Sequence, residues 1–234
     1  MKKYKLTKET KNINGRMLYR IRALKDFSDV KKGDLGGWIE REDNLSQDDN
    51  AWVYEESCVY DNAYIHDNAE IHDNAEIHDN ARIYGNAYIH GNARIYGNAR
   101  IHGDVNIYGD VNIYGDVRIY GNAWVYGNAY IHGDVNIYGN ARICDNANIS
   151  DGYIIGEVSL LYKDIFQYQC KNRMLTAILT KDDKILYTIG CQKNITEEEF
   201  LDRIYNENGG LKTNPHRKEY LRLIECIKIY FENN

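Results

Sequence analysis

From Val53 to Ile149 every sixth residue is valine or isoleucine, seventeen positions without a break. Four residues after nearly every one stands a small apolar residue, as at Ala63, Ala69, Val105, Val111 and Ala147, and a polar pair, Asp-Asn, Gly-Asn or Gly-Asp, lies between. A helix repeats at 3.6 residues, so a period of six with alternation inside it excludes helix and selects strand. In Ala81-Arg82-Ile83-Tyr84, Ala81 and Ile83 face one way and Arg82 and Tyr84 the other. Gly85-Asn86 then bends the chain, because Gly enters positive φ freely and Asn or Asp tolerates it. Three strands and three bends close a triangular turn of about 18 residues. The Ile and Ala/Val columns are its core, and successive turns stack about 4.8 Å apart.

The unit I-[Y/H]-[G/D]-[N/D]-[A/V]-x resembles the left-handed β-helix hexapeptide family, whose pattern is [LIV]-[GAED]-x-x-[STAV]-x. The resemblance spans roughly residues 35–161 and implies a left-handed coil. Tyr or His at the second position departs from the family's usual small or acidic residue. Leu35-Gly36-Gly37-Trp38-Ile39-Glu40 fits the unit approximately, with Ile39 in the small-residue slot. The next two units keep the phase at Asn44-Leu45 and Asn50-Ala51, with Arg41 and Gln47 in the Ile column, and Ile155 and Leu161 continue it at the far end. A second resemblance lies in Leu18-Tyr19-Arg20-Ile21, Asp26-Phe27, Val30-Lys31, Asp34 to Ile39 and Asn44-Leu45-Ser46. These look like the opening of uncharacterised hexapeptide-repeat proteins of phages, prophages and enterobacteria. That likeness implies a bacterial, mobile-element origin and no catalytic residue.

The expected architecture is mainly β: a left-handed parallel β-helix over 35–161, a basic leader over 1–34, and a small α/β cap over 162–234. In the last segment Met174 to Leu179 and Ile185 to Ile189 read as strands joined at Lys181-Asp182-Asp183. Thr196 to Glu199 is a capping box opening a helix to about Asn206, ended by Gly209-Gly210. Asn214 and Pro215 open a last helix with Tyr220, Ile224, Ile227 and Phe231 on its apolar face. No apolar run reaches transmembrane length and no signal peptide is read, so no membrane is implied. Five cysteines, Cys58, Cys144, Cys170, Cys191 and Cys226, without close pairs, fit reduced thiols in a bacterial cytoplasm. Net charge is −6, unevenly spread: residues 1–34 hold 11 Lys/Arg against 4 Asp/Glu, and residues 51–150 hold 5 Arg against 13 Asp/Glu. A basic leader can contact nucleic acid or an acidic partner. The alternation of Tyr19, Ile21 and Ala23 favours instead a strand packed on the rod's end.

Outward positions fall into three faces. Face one begins at Trp52/Tyr54, face two at Cys58/Tyr60 and face three at Tyr64/His66. Face three stacks Arg82, Arg100 and Arg118 beside Tyr84, His102 and Tyr120 on three consecutive turns. Cations among aromatics can hold a phosphate or nucleotide, the rings offering faces to a base and His102 adding charge at mildly acidic pH. Ladder stacking that serves only the coil is the structural alternative, and the favoured one. Asp61, Asp79, Asp116, Asp134 and Asp151 gather at one corner. They read as a nucleic-acid mimic or, more simply, as ordinary bend residues.

Relatives of this fold use histidines for metal binding or acyl transfer from coenzyme A or an acyl carrier. Here His66, His72, His78, His90, His102 and His132 all occupy the slot that is otherwise Tyr. Only His72 and His90 lie one turn apart, an incomplete zinc site. No loop interrupts residues 51–150 and no nucleophile–base–orienter set can be assembled. The reading is a non-catalytic binding protein without cofactor or metal. It acts as an inhibitor of a host defence system by binding a host protein or signalling nucleotide. Nucleic acid as partner and homo-oligomerisation stay open. The alternatives are a trimeric hexapeptide acyltransferase and a structural or assembly module.

Overall fold

The structure, a computed structural model, describes residues 2–144, 147–155, 159–160, 165–170, 173–180, 183–189, 192–205 and 217–232. Side chains at 151–153, 155, 159–160, 169–170, 173–174, 192–193, 203–205 and 217–219 lie outside the description. Each six-residue unit makes a short strand and a bend. From Asp61 to Gly139 the first bend residue has positive φ: 60° at Asp61, 58° at Asp67, 60° at Asp73 and 58° at Asp79, then glycine from Gly85 onward. At Asp67 the carboxylate accepts the Gly85 N–H of the next turn at 3.0 Å, a local partner for an otherwise uncommon conformation. At Gly85 a Cβ would lie 2.6 Å from the Gly103 nitrogen, so the stacked bends there admit only glycine.

Strands stack in parallel and in register, Arg100 opposite Arg82 on one side and Arg118 on the other. Face one is a seven-stranded sheet running from Trp52–Val53 to Ser159–Leu160. Faces two and three join in a thirteen-stranded sheet, because the strand Tyr130–Tyr138 runs unbroken through the corner between them. Ile65 through Ile143 and Ala69 through Ala141 on the inner columns are essentially inaccessible, and they form one continuous core. The chain is a mainly β hexapeptide-repeat β-helix.

At both ends the structure corrects the sequence phase. Ile39 pairs with Val59 and Leu45 with Ile65, so the first turn runs 20 residues. Ile39 and Leu45 therefore occupy the Ile column, and Arg41 and Gln47 do not. Arg41 is exposed and reaches Asn62 at 2.7 Å. Gln47 accepts the Lys3 N–H at 2.8 Å. At the far end Ile137 pairs with Ile154 and Ile143 with Leu160, an offset of 17. Ile154 is the buried residue there, and Ile155 pairs with Tyr138. Leu161 lies outside the described residues.

The two extra residues of the first turn make room for the leader. On later turns a bend carbonyl accepts N–H groups from the turn before, as Asp67 does from Asn50 at 2.9 Å and Ala51 at 2.8 Å. The first turn has no turn before it, and leader side chains supply the donors that buried carbonyls require. The Lys3 ammonium donates to Ala51 O at 2.7 Å and Asp48 O at 3.0 Å. The Tyr4 hydroxyl lies 2.7 Å from Leu45 O. Asn44, within the first turn itself, donates likewise to Ala63 O at 2.9 Å and Asp61 O at 3.0 Å.

Strands β1 (Tyr4–Ile13) and β2 (Arg16–Ala23) form a hairpin, and β2 pairs antiparallel with β3 (Leu35–Ile39). Part of the leader's positive charge is spent on the coil: Lys2 on Glu42, Lys11 and Arg20 on Glu56, Arg16 on Asp61. Lys5, Lys8, Arg22, Lys25, Lys31 and Lys32 are exposed.

The C-terminal segment holds a four-stranded antiparallel sheet, in the order Ile165–Cys170, Arg173–Leu179, Ile185–Ile189, Gln192–Ile195. Helices α1 (Glu197–Tyr205) and α2 (Arg217–Glu232) pack on it through Phe200, Tyr220, Leu223, Ile224 and Ile227. Thr196 and Glu199 form the expected capping box, with Glu199 N donating to Thr196 Oγ1 at 3.2 Å and Thr196 N to Glu199 Oε2 at 2.8 Å. The expected breaks and caps at Lys181, Asp182, Gly209, Gly210, Asn214 and Pro215 lie outside the described residues. The segment meets the last turns: Ile165 and Ile178 join the coil's core, and Gln167 accepts the Ser150 N–H at 3.0 Å. Among the described residues no helix is long and apolar enough to cross a membrane.

Candidate functional site

Face three carries no outward carboxylate on its strands between Tyr64 and Tyr138. Arg82, Arg100 and Arg118 stand in hydrogen-bond register on adjacent strands, about 4.8 Å apart. Arg82 and Arg100 are exposed, and their side chains carry no hydrogen bond or ion pair among the described residues. Arg118 is different: its guanidinium lies 3.4 Å from Asn136 and 3.7 Å from Asp134. Two free cations therefore sit beside one that is held.

The rings beside them are stacked on one another. Tyr84 is sandwiched between His66 at 4.8 Å and His102 at 4.4 Å. Tyr120 stacks on Tyr138 at 5.4 Å, and its other side meets His102 edge-on at 83°. The ring faces of Tyr84 are thus covered, and the column offers edges where the sequence suggested open faces for a base. Burial and the Tyr120 hydroxyl hold the Tyr84 phenol above its ordinary range. Face two carries the most regular ladder, Tyr60–His78–Tyr96–Tyr114–His132, with centroid spacings of 4.9, 4.9, 5.1 and 5.3 Å.

The four corner aspartates whose side chains are described are each engaged locally. Asp61 pairs with Arg16. Asp79 accepts Gly97 N–H at 3.0 Å. Asp116 accepts Asn98 Nδ2 at 2.8 Å, and Asp134 faces Arg118. The side chain of Asp151 lies outside the description. Asp61 and Asp79 occupy the first bend position and Asp116 and Asp134 the second, so the five do not make one column of equivalent carboxylates. Sequence reasoning missed the amide ladders at the second bend position. Asn62 donates to Asn80 at 3.1 Å, Asn80 to Asn98 at 3.2 Å, and Asn98 to Asp116. The signal was present as Asn or Asp at nearly every second bend position.

Most histidines are occupied. His66 lies 3.0 Å from Asp67, His72 3.1 Å from Glu70 and His78 3.4 Å from Asp79. Burial lowers the His90 pKa, with Asp73 acting against it. Ligand atoms of Asp61, His78 and Asp79 converge within 4.8 Å, a trio the sequence reading did not single out, and Arg16 already neutralises one of its carboxylates. Cys58 and Cys144 are buried cysteines outside any disulfide, and Cys226 is an exposed one. Burial pushes the Cys58 thiol up to about 11. Cys191 and the Cys170 side chain lie outside the description. An open recess of about 370 Å³ is lined by Asn50, Asn68, Asn86, Glu70 and Tyr88.

Residues 93–109, 111–127 and 117–133 match a family model described as the YdcK β-solenoid repeat. A curated relative, "Uncharacterized acetyltransferase YdcK" of Escherichia coli (strain K12), is 39% identical over 62 residues, covering 23% of this chain and 19% of that protein. The chain therefore spans about a fifth of the length of the curated relative it matches.

Proposed function

We propose that this chain is a non-catalytic binding protein whose rigid coil presents face three to an anionic ligand or partner. The supporting observation is the pair Arg82 and Arg100, exposed and without a carboxylate partner among the described residues, on an otherwise acidic rod. An unpaired guanidinium forms bidentate bonds to phosphate or carboxylate without first breaking an internal pair. Action as an inhibitor of a host system is the finer form of this proposal, and it rests on the leader's resemblance alone. The test is titration of nucleotides and short oligonucleotides against the parent and an Arg82→Gln/Arg100→Gln/Arg118→Gln variant at two salt concentrations. Binding by the parent that weakens in the variant, with a flatter salt dependence, supports the proposal. No binding to the parent removes the anion-binding part.

A second reading is favoured by the local match to a protein named as an acetyltransferase. On that reading a histidine acts as general base for acyl transfer. His102 is exposed and has ring contacts but, among the described residues, no carboxylate within ion-pair distance. Transfer of acetyl from acetyl-coenzyme A to an added amine or hydroxyl acceptor, read as acetylated acceptor and free thiol in equal amounts and lost in His102→Ala, would replace the first reading with this one.

A further inference from the structure

We propose that Arg82 and Arg100 form a clamp for a diphosphate group, bound without recognition of any base attached to it. The inference rests on the anion-binding reading of face three and names its ligand class. The argument is one of charge and size. Arg82 and Arg100 are register partners on adjacent strands, so their guanidinium groups leave the same face side by side. Two neighbouring phosphoryl groups joined by one bridging oxygen present anionic oxygens to both at once, each arginine taking one phosphoryl bidentately.

The free charge ends quickly in both directions. Towards the C-terminus the next arginine, Arg118, is held by Asp134 and Asn136. Towards the N-terminus the register partner of Arg82 is Tyr64. The strip of available cation is therefore two strands wide, which suits a compact diphosphate better than a polymer. Exposed carboxylates flank it at the two corners, Asp104 on one side and Asp116 on the other. A broad polyanion laid over face three would bring its outer charges against them, whereas a diphosphate stays between. A base finds no free face on Tyr84, which His66 and His102 already cover. Intercalation there would require breaking that stack.

The experiment is calorimetric titration of the full chain with inorganic pyrophosphate, ADP, CDP, AMP and inorganic phosphate. The proteins are the parent, an Arg82→Gln/Arg100→Gln variant and an Arg118→Gln variant. Pyrophosphate, ADP and CDP are expected to bind within about threefold of one another, and AMP and phosphate at least about tenfold more weakly. The double variant loses the diphosphate binding. Arg118→Gln keeps it within about threefold, because that guanidinium is already committed. All three positions face solvent, so an unchanged melting curve certifies the fold of each variant.

AMP binding as tight as ADP, or ADP and CDP differing by more than about tenfold, overturns the clamp. Oligonucleotides bound through Arg82 and Arg100 while pyrophosphate is not would overturn it too, yet leave the anion-binding reading standing. Absence of binding by every anion overturns both.

Discussion

The Lys3 ammonium lies 2.7 Å from the carbonyl oxygen of Ala51, inside the end of the coil, with no accessible surface. It does for the first turn what a preceding turn would do with backbone N–H groups. The arrangement explains why the first turn is two residues longer than its successors: the added chain lets the Asp48 and Ala51 carbonyls converge on one ammonium. It also gives the leader a role without an external partner, since its cations neutralise Glu42, Glu56 and Asp61 at the rod's start.

Burial lowers the Lys3 pKa from 10.5 to about 8, with Asp49 and Asp48 opposing the shift and Lys25 adding to it. Below pH 8 the side chain is protonated whether the chain is folded or not, and the full cost of burying the charge is present. Between pH 8 and 10.5 the unfolded chain holds a proton that the folded chain has lost, so this group's contribution to stability rises with pH. Other groups titrate in the same window. The clean measurement is therefore the melting-temperature difference between the parent and Lys3→Met, taken from pH 7 to 10.5. The difference should move in the parent's favour as pH rises. A flat difference would show that Lys3 is not buried as a strained cation.

Asn44→Ala should destabilise by about 1–3 kcal/mol, the cost of leaving buried acceptors unpaired. The amide satisfies the Asp61 and Ala63 carbonyls at once. Asn44→Asp should be worse, because it turns a carboxylate oxygen towards those carbonyls. Denaturant midpoints would rank the three proteins, and equal midpoints would mean that another donor replaces the amide.

Most of the coil was legible in the sequence because burial here has a single strict period. Ile83 and Ile101 are buried for the same reason that they recur at multiples of six. The phase errors at the two ends have one cause. An insertion of two residues near Gln47 and a deletion of one near Asp151 leave the polar bend residues looking regular while the buried residue shifts to Ile39, Leu45 and Ile154. At face three the register of Arg82, Arg100 and Arg118 followed from counting. Which arginine is free did not, because Arg118 meets Asn136 and Asp134 through side-chain rotamers that no spacing encodes. The stack of Tyr84 between His66 and His102, by contrast, is the ring ladder that the same counting implied.

Ile101→Asp places a carboxylate in a wholly buried column, between Ile83 and Ile119. No cation reaches that position, so the cost should be several kcal/mol, above the roughly 2–5 kcal/mol expected for Ile101→Ala. Urea denaturation of the two variants tests the order. An Asp variant as stable as the parent would place Ile101 outside the core.

Residues 162–234 should be required for a soluble, monodisperse protein. The strand Asn148–Ile155 is the last long strand of the coil, and beyond it the C-terminal sheet lays Ile165 and Ile178 against the coil's core. Gln167 takes the Ser150 N–H and hydroxyl, groups that a further turn would otherwise satisfy. Removing the segment exposes apolar surface and unpaired strand groups together, the combination that drives edge-to-edge association. Size-exclusion chromatography with light scattering on a chain ending at residue 161 should show new oligomers or aggregate. A second variant, Gln167→Ala in the full chain, leaves the apolar cover in place. It should stay monodisperse while losing about 1–3 kcal/mol of stability. A truncated chain that behaves as a well-folded single species would show that the last turn closes itself, and the segment would then be free to serve a partner.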